Sequence, residues 1–177
     1  AKLISDDGHN TVALTWINND YGQGIAEAFV ESFSGDVVYN QPHDQGKASY
    51  SNTVTNMGNA NADAWVFVTY QPEFTTMAQE SYDKGYLGDV ALYGSDSVKG
   101  PKVLQNIPEG SIDGMTIIAP SAALDQENYK RFAENFNSDY DRDPTAWSAY
   151  AYDAIVVGAL GVQAADEVTG AAIGKVV

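Results

Sequence analysis

"AWVFVTYQPE", residues 64–73, decides how this chain is read. Residues 64–70 carry no charge and are mostly β-branched or aromatic, so they read as a strand. The apolar run is nearly continuous rather than alternating, which is the pattern of a strand covered on both faces. Pro72 then suits a first helical position. Phe74, Met77, Ala78 and Tyr82 follow at helical spacing as an inner stripe, with Lys84 in the last turn and Gly85 at the end.

The same strand-to-helix step recurs on either side. "TVALTWI" (11–17) reads as a first strand, and Asp20 is placed to cap a helix carrying Ala26, Phe29, Val30 and Phe33, with Gly35 stopping it. "DVVYN" (36–40) reads as a second strand, followed by a polar loop and a weaker helix near 50–59. "VALYG" (90–94) gives a fourth strand, with a short helix expected around 97–105, and "GMTIIAP" (114–120) gives a fifth. Crossovers of this length imply an α/β fold, a parallel sheet with helices on both faces. The common strand order for five such strands is 2-1-3-4-5.

After Pro120 the pattern changes to two helices without a strand between them. Asp125 is placed to cap the first, whose apolar face is Tyr129, Phe132, Ala133, Phe136 and Tyr140. Asp143 and Pro144 are expected to start the second as cap and first position, and it runs to about Val168. Trp147, Tyr150, Ala151, Ala154, Ile155, Val157, Leu160 and Val162 make it apolar on most sides. Such a helix belongs inside a larger body. The opening "AKLI" reads as the tail of a helix, so the chain is expected to be a piece of a longer protein. The expected division is residues 1–119 and residues 120–177.

With 24 acidic and 9 basic residues the formal charge is -15, which excludes a general phosphate-binding or anionic-membrane surface. The acidity reads either as a solvated surface or as adaptation to high salt. No nucleic-acid partner and no membrane insertion of this segment are expected, since no stretch approaches the roughly 20 apolar residues of a membrane span. The chain has no cysteine, so disulfides and thiolate metal sites are excluded.

A parallel sheet of this order holds ligands at the carboxyl ends of its strands, where the order reverses. The residues just past those ends are Asn18 to Tyr21, Tyr70 to Gln71, and Gly94 to Asp96. Topology therefore gathers Tyr21, Tyr70 and Asp96 around one crevice. Asp96 suits an ammonium group, and the tyrosines supply flat faces with one hydroxyl each. The simpler alternatives are rim packing for the tyrosines and helix capping for Asp96.

Other motifs fail on their own terms. Gly22 and Gly24 begin a G-x-G pattern, but Glu27 stands where the third glycine of a dinucleotide fingerprint belongs, and no acid closes the second strand near Asn40. The glycines are better explained by a tight turn into a helix. "GSDSV" (94–98) is no nucleophile elbow, and His9 and His43 fall in expected loops without a partner serine or cysteine. "DRD" (141–143) and "SDD" (5–7) read as turns and caps before they read as cation sites. No cofactor, metal or catalytic constellation is read, so the chain is not expected to be an enzyme.

"NNDYGQGIAEAF", "ADAWVFVTYQPEFTTMAQESYDKGY", "LYGSD" and "PTAWSAYAYDA" together resemble the type I periplasmic binding proteins of the leucine/isoleucine/valine group. These are the substrate-binding subunits of branched-chain amino-acid ABC transporters. The resemblance implies two α/β lobes that close on a hinge around a ligand. It makes residues 1–119 most of the second, ligand-binding lobe, and residues 120–177 the hinge return and helices of the first lobe. It aligns the tyrosine of the family's Y-G-x-G turn with Tyr21, the tyrosine ending the third strand of the second lobe with Tyr70, and the acid that pairs with the ligand's α-ammonium with Asp96. Some members carry Glu there, so the shorter Asp96 is expected to shift the ligand or admit a bulkier one. The first-lobe groups that hold the ligand carboxylate lie outside this chain. The implied function is amino-acid transport: an extracytoplasmic solute-binding subunit that passes an amino acid or analogue to a membrane permease. The same fold serves as a ligand-binding sensory domain, which is the alternative reading.

Overall fold

The computed structural model describes residues 1–177, the side chains of Pro101 and Ala146 excepted. Five strands form one sheet: β1 (Thr11–Ile17), β2 (Asp36–His43), β3 (Ala64–Val68), β4 (Ala91–Ser95) and β5 (Thr116–Ile118). All neighbouring pairs are parallel, and the order is β2-β1-β3-β4-β5. The α/β architecture and strand order expected from the sequence are those observed. The crossovers carry α2 (Asp20–Ser32), α3 (Ser51–Asn59), α4 (Gln71–Asp83) and α5 (Pro101–Gln105), and α1 (Lys2–Asp6) precedes β1. Two compact units result, Ala1–Ala119 and Pro120–Val177.

β3 explains why the sheet is covered on both sides. Every residue in it is buried. Trp65 and Phe67 point into one layer, with Val54 and Met57 of α3 and Phe74, Met77 and Ala78 of α4. Ala64, Val66 and Val68 point into the other, with Ile4 of α1 and Ala26, Phe29 and Phe33 of α2 and its end. The period-2 alternation of a strand thus divides one apolar run between two cores. Each fully buried large side chain contributes about 1.5–3 kcal/mol of transfer free energy.

The element ends depart from the sequence expectation in specific places. β2 runs three residues beyond Asn40, through Pro42 to His43. It is an edge strand, where the missing N–H of a proline leaves no sheet partner unsatisfied. His43 is therefore a buried strand residue and not a loop residue. Pro72 occupies the second position of α4, because Tyr70 is the N-cap. Tyr82 is half exposed at 50%, and Ser81 takes the inward place, its hydroxyl donating to the Met77 carbonyl at 2.6 Å. In place of one helix over 97–105 there is a 3₁₀ turn at Asp96–Val98 and then α5.

The second unit is helical: α6 (Glu127–Tyr140), α7 (Ala146–Ala165) and α8 (Gly170–Ile173). Asp125 does not cap α6, whose N-cap is Gln126 without a side-chain bond. Asp143 does not cap α7. It accepts from Asn137 Nδ2 at 3.0 Å, while Thr145 and Ser148 form a capping box. Along α6, Phe132, Phe136 and Tyr140 follow one another with tilted rings, at centroid separations of 5.8 and 4.6 Å. α7 is exposed over most of its length despite its apolar composition, with Ile155 at 76% and Leu160 at 58%. Among the described residues, no helix is long and apolar enough to cross a membrane.

Candidate functional site

The site is built where α2, α4 and the 3₁₀ turn leave the sheet. Asn19 is the N-cap of α2, with Oδ1 accepting from the Gly22 amide at 3.0 Å. The first turn of that helix passes close over the end of β1. A Cβ on Gly22 would lie 2.0 Å from the Ile17 carbonyl oxygen, so only glycine fits, whereas a Cβ on Gly24 would meet nothing within 4 Å. The G-x-G pattern is therefore one packing requirement and one incidental glycine. It places Tyr21, between the cap and the close approach, over the ends of the strands.

Tyr21 and Tyr70 stack with ring centroids 5.8 Å apart and planes 14° from parallel. The Tyr21 hydroxyl donates to Asp96 Oδ1 at 3.0 Å and accepts from Ser97 Oγ at 2.6 Å. Asn19 Nδ2 donates to the Tyr70 hydroxyl at 3.1 Å. The structure thus brings Tyr21, Tyr70 and Asp96 into one half-buried cluster from three separate crossovers. Burial raises the Tyr21 pKa above its ordinary value. The hydroxyls of Ser95 and Ser97 oppose this and the Asp96 carboxylate adds to it. Tyr21 accordingly keeps its proton and serves as a donor at neutral pH.

Asp96 begins the 3₁₀ turn, but its carboxylate faces Tyr21 instead of closing a helix end. Among the described residues no basic side chain pairs with it. A half-buried carboxylate beside two aromatic faces, with no protein cation, is an arrangement fit to receive an ammonium group. Asn19 and Ser97 complete the cluster; the sequence places Asn19 at the strand end without a role in the site and does not single out Ser97. Asn19 carried a signal, since Asn is as good an N-cap as the neighbouring Asp20. Ser97 carried none beyond its place next to Asp96.

Behind the crevice, His43 joins two strands. Its Nδ1 lies 2.9 Å from Thr15 Oγ1 and its Nε2 2.7 Å from Thr69 Oγ1, with all three residues buried. Burial lowers the imidazole pKa to about 4, against the opposing pull of Glu73 and Asp44. This is a neutral structural histidine. Among the described residues there is no group of His, Cys, Asp and Glu able to hold a metal. A cavity of about 600 Å³ adjoins Tyr70 and Ser97. A larger recess of about 990 Å³ lies in the helical unit and is walled by Tyr129, Phe132, Phe136, Tyr150 and Tyr152. Its walls are the uncovered aromatic face of α6 and part of α7.

The periplasmic binding protein family model matches residues 1–176. The chain belongs to the periplasmic binding protein family. No curated protein sequence matches it. Among solved structures, a leucine-binding protein LivK from Thermotoga maritima is similar at 20% identity and TM-score 0.83, covering 97% of this chain and 50% of that one. The branched-chain amino acid transporter substrate-binding protein LivJ from Streptococcus pneumoniae, solved with isoleucine, is similar at 24% identity and TM-score 0.74, over 91% of this chain and 47% of that one. A fatty acid ABC transporter substrate-binding protein from Thermomonospora curvata is similar at 15% identity and TM-score 0.67, over 91% and 43%. The chain spans about half the length of these structures, and the likeness establishes a shared fold. The five-stranded parallel sheet with its helices matches one lobe of the periplasmic binding protein fold.

Proposed function

We propose that this periplasmic binding protein chain supplies one wall of a ligand crevice in an extracytoplasmic solute-binding subunit of an ABC importer. The ligand is an amino acid or an amino-acid-like molecule, delivered to a membrane permease. The chain performs no covalent chemistry; capture is by hinge closure of two lobes. The observation that carries the reading is Asp96, half-buried, bonded to Tyr21 and without a protein cation. The ligand's ammonium takes the place of that cation, and Tyr21 and Tyr70 cover its apolar part.

Residues 1–119 act as the ligand-binding second lobe in this reading. Residues 120–177 comprise the return through the hinge and helices of the first lobe. Two observations support this division: the exposed apolar side chains of α7, and relatives of about twice the length, one of them solved with isoleucine.

The test is calorimetry on the product of the full reading frame that encodes this chain, with L-leucine as the first probe. Asp96→Asn is expected to weaken binding by roughly 10- to 100-fold, the loss of about 1.5–3 kcal/mol from a charged hydrogen bond. Unchanged affinity in that variant removes Asp96 from the site.

A further inference from the structure

We infer that the crevice continues past the tyrosine pair into an anion-accepting subsite centred on Lys102, so that the preferred solute carries a negative group distant from its ammonium. The inference deepens the proposed function and rests on it. The cavity of about 600 Å³ shares two walls with the tyrosine cluster. Tyr70 stacks on Tyr21, and Ser97 donates to the Tyr21 hydroxyl that in turn binds Asp96. A solute held at Asp96 and covered by the tyrosines therefore has this cavity directly beside it.

The lining of that cavity contains one charged side chain, Lys102, and no carboxylate. This stands out in a unit with fifteen carboxylates and five lysines over residues 1–119. Lys2 and Lys47 of those five are held by Asp6 and Asp44, while Lys102 is exposed and, among the described residues, pairs with no acid. Of the polar neighbours, Thr75 spends its hydroxyl proton on the Gln71 carbonyl at 2.7 Å, while Gln71 Nε2 and Asn106 Nδ2 each spend one of two N–H groups on the Lys99 and Lys102 carbonyls at 3.0 and 2.6 Å and keep the other. To those neutral donors Lys102 adds the one cation of the lining, three ammonium donors on a flexible stem. Asp96 in the tyrosine cluster and Lys102 on the wall of the adjoining cavity thus carry opposite signs, and Tyr70 is common to cluster and cavity. An α-amino acid with an acidic side chain is the chemical class that matches both ends. Its second carboxylate would find a cation at Lys102 and no like charge on the cavity wall.

The experiment is calorimetry on the product of the full reading frame with L-leucine, L-glutamate and L-2-aminoadipate. At least one diacid is expected to bind more tightly than leucine, with an advantage that shrinks as salt rises. Lys102→Met should weaken that diacid about fivefold, a modest figure because the lysine is exposed, and leave leucine unchanged. Lys102→Arg should keep most of the preference. Tighter binding of leucine than of both diacids overturns the inference, as does a Lys102→Met variant that shifts all three ligands equally. If leucine binds, Asp96→Asn weakens that binding roughly 10- to 100-fold and both diacids fail, the subsite falls and the proposed function stands. If none of the three binds, both fall.

Discussion

The two units of this chain use apolar residues in opposite ways. In the sheet unit, every residue of β3 is buried and its side chains divide between two cores. In the helical unit, α7 is richer in apolar residues than any amphipathic surface helix requires, and most of them are exposed. A core that closes on itself is the mark of a unit whose stability lies within its own residues. An apolar helix without cover leaves its side chains to add little to the stability of its unit. The contrast has measurable consequences.

The largest is in the core. Phe67 is 1% exposed and packs edge-on against Phe74 with centroids 5.2 Å apart, so Phe67→Ala should cost about 3–5 kcal/mol in chemical denaturation of the 177-residue chain. Leu160→Ala should change the same midpoint by less than about 0.5 kcal/mol. An equal cost at Leu160 would break the contrast.

Next comes pH. His43 has an ordinary value of 6.5 and is held at about 4 in the fold. Between those values the unfolded chain binds a proton that the folded chain refuses. Stability from this residue is therefore complete above pH 6.5 and declines as pH falls toward 4, by up to about 3 kcal/mol. Denaturation at pH 7 and pH 4.5 measures the loss, and His43→Gln should flatten it. The loss belongs to the sheet unit, so probes in the helical unit should not follow it.

Gly22→Ala should cost about 1–3 kcal/mol, because its Cβ is driven against the Ile17 carbonyl. Gly24→Ala, in open space within the same helix, should stabilise by as much as about 1 kcal/mol. Thermal melts of the two variants test this pair. The smallest effect is at the start of α7: Thr145→Ala should lower helix stability by about 1 kcal/mol while Asp143→Ala leaves it alone, as read by circular dichroism.

The sheet was legible in the sequence because its signals are local and redundant. Seven uncharged residues, a proline step and a periodic helix recur with enough regularity that strand order followed from topology rules. Helix ends were less legible. Asp20, Asp125 and Asp143 all read as caps, and in each case the structure uses a neighbour or no side chain at all. Adjacent residues such as Asn19 and Asp20 have nearly equal intrinsic preference, and the backbone angles that choose between them are set by tertiary packing. His43 lies in a stretch whose polar residues read as a loop, yet β2 continues through Pro42 to His43, which a sheet edge permits. At the crevice, topology gathered Tyr21, Tyr70 and Asp96. It gave no view of Asn19 and Ser97, whose roles depend on side-chain reach across more than fifty residues of sequence.

The hydrogen bonds around Tyr21 all run in one direction. Ser97 donates to Tyr21, and Tyr21 donates to Oδ1 of Asp96. That oxygen is engaged, and among the described residues the other oxygen of the carboxylate accepts nothing. In the proposed reading an arriving ammonium therefore meets a single open oxygen beside a flat aromatic wall. Two points of contact fix where such a guest sits but not its rotation about the line that joins them. Telling one mirror image from the other would fall to a third contact, on the open side of the crevice.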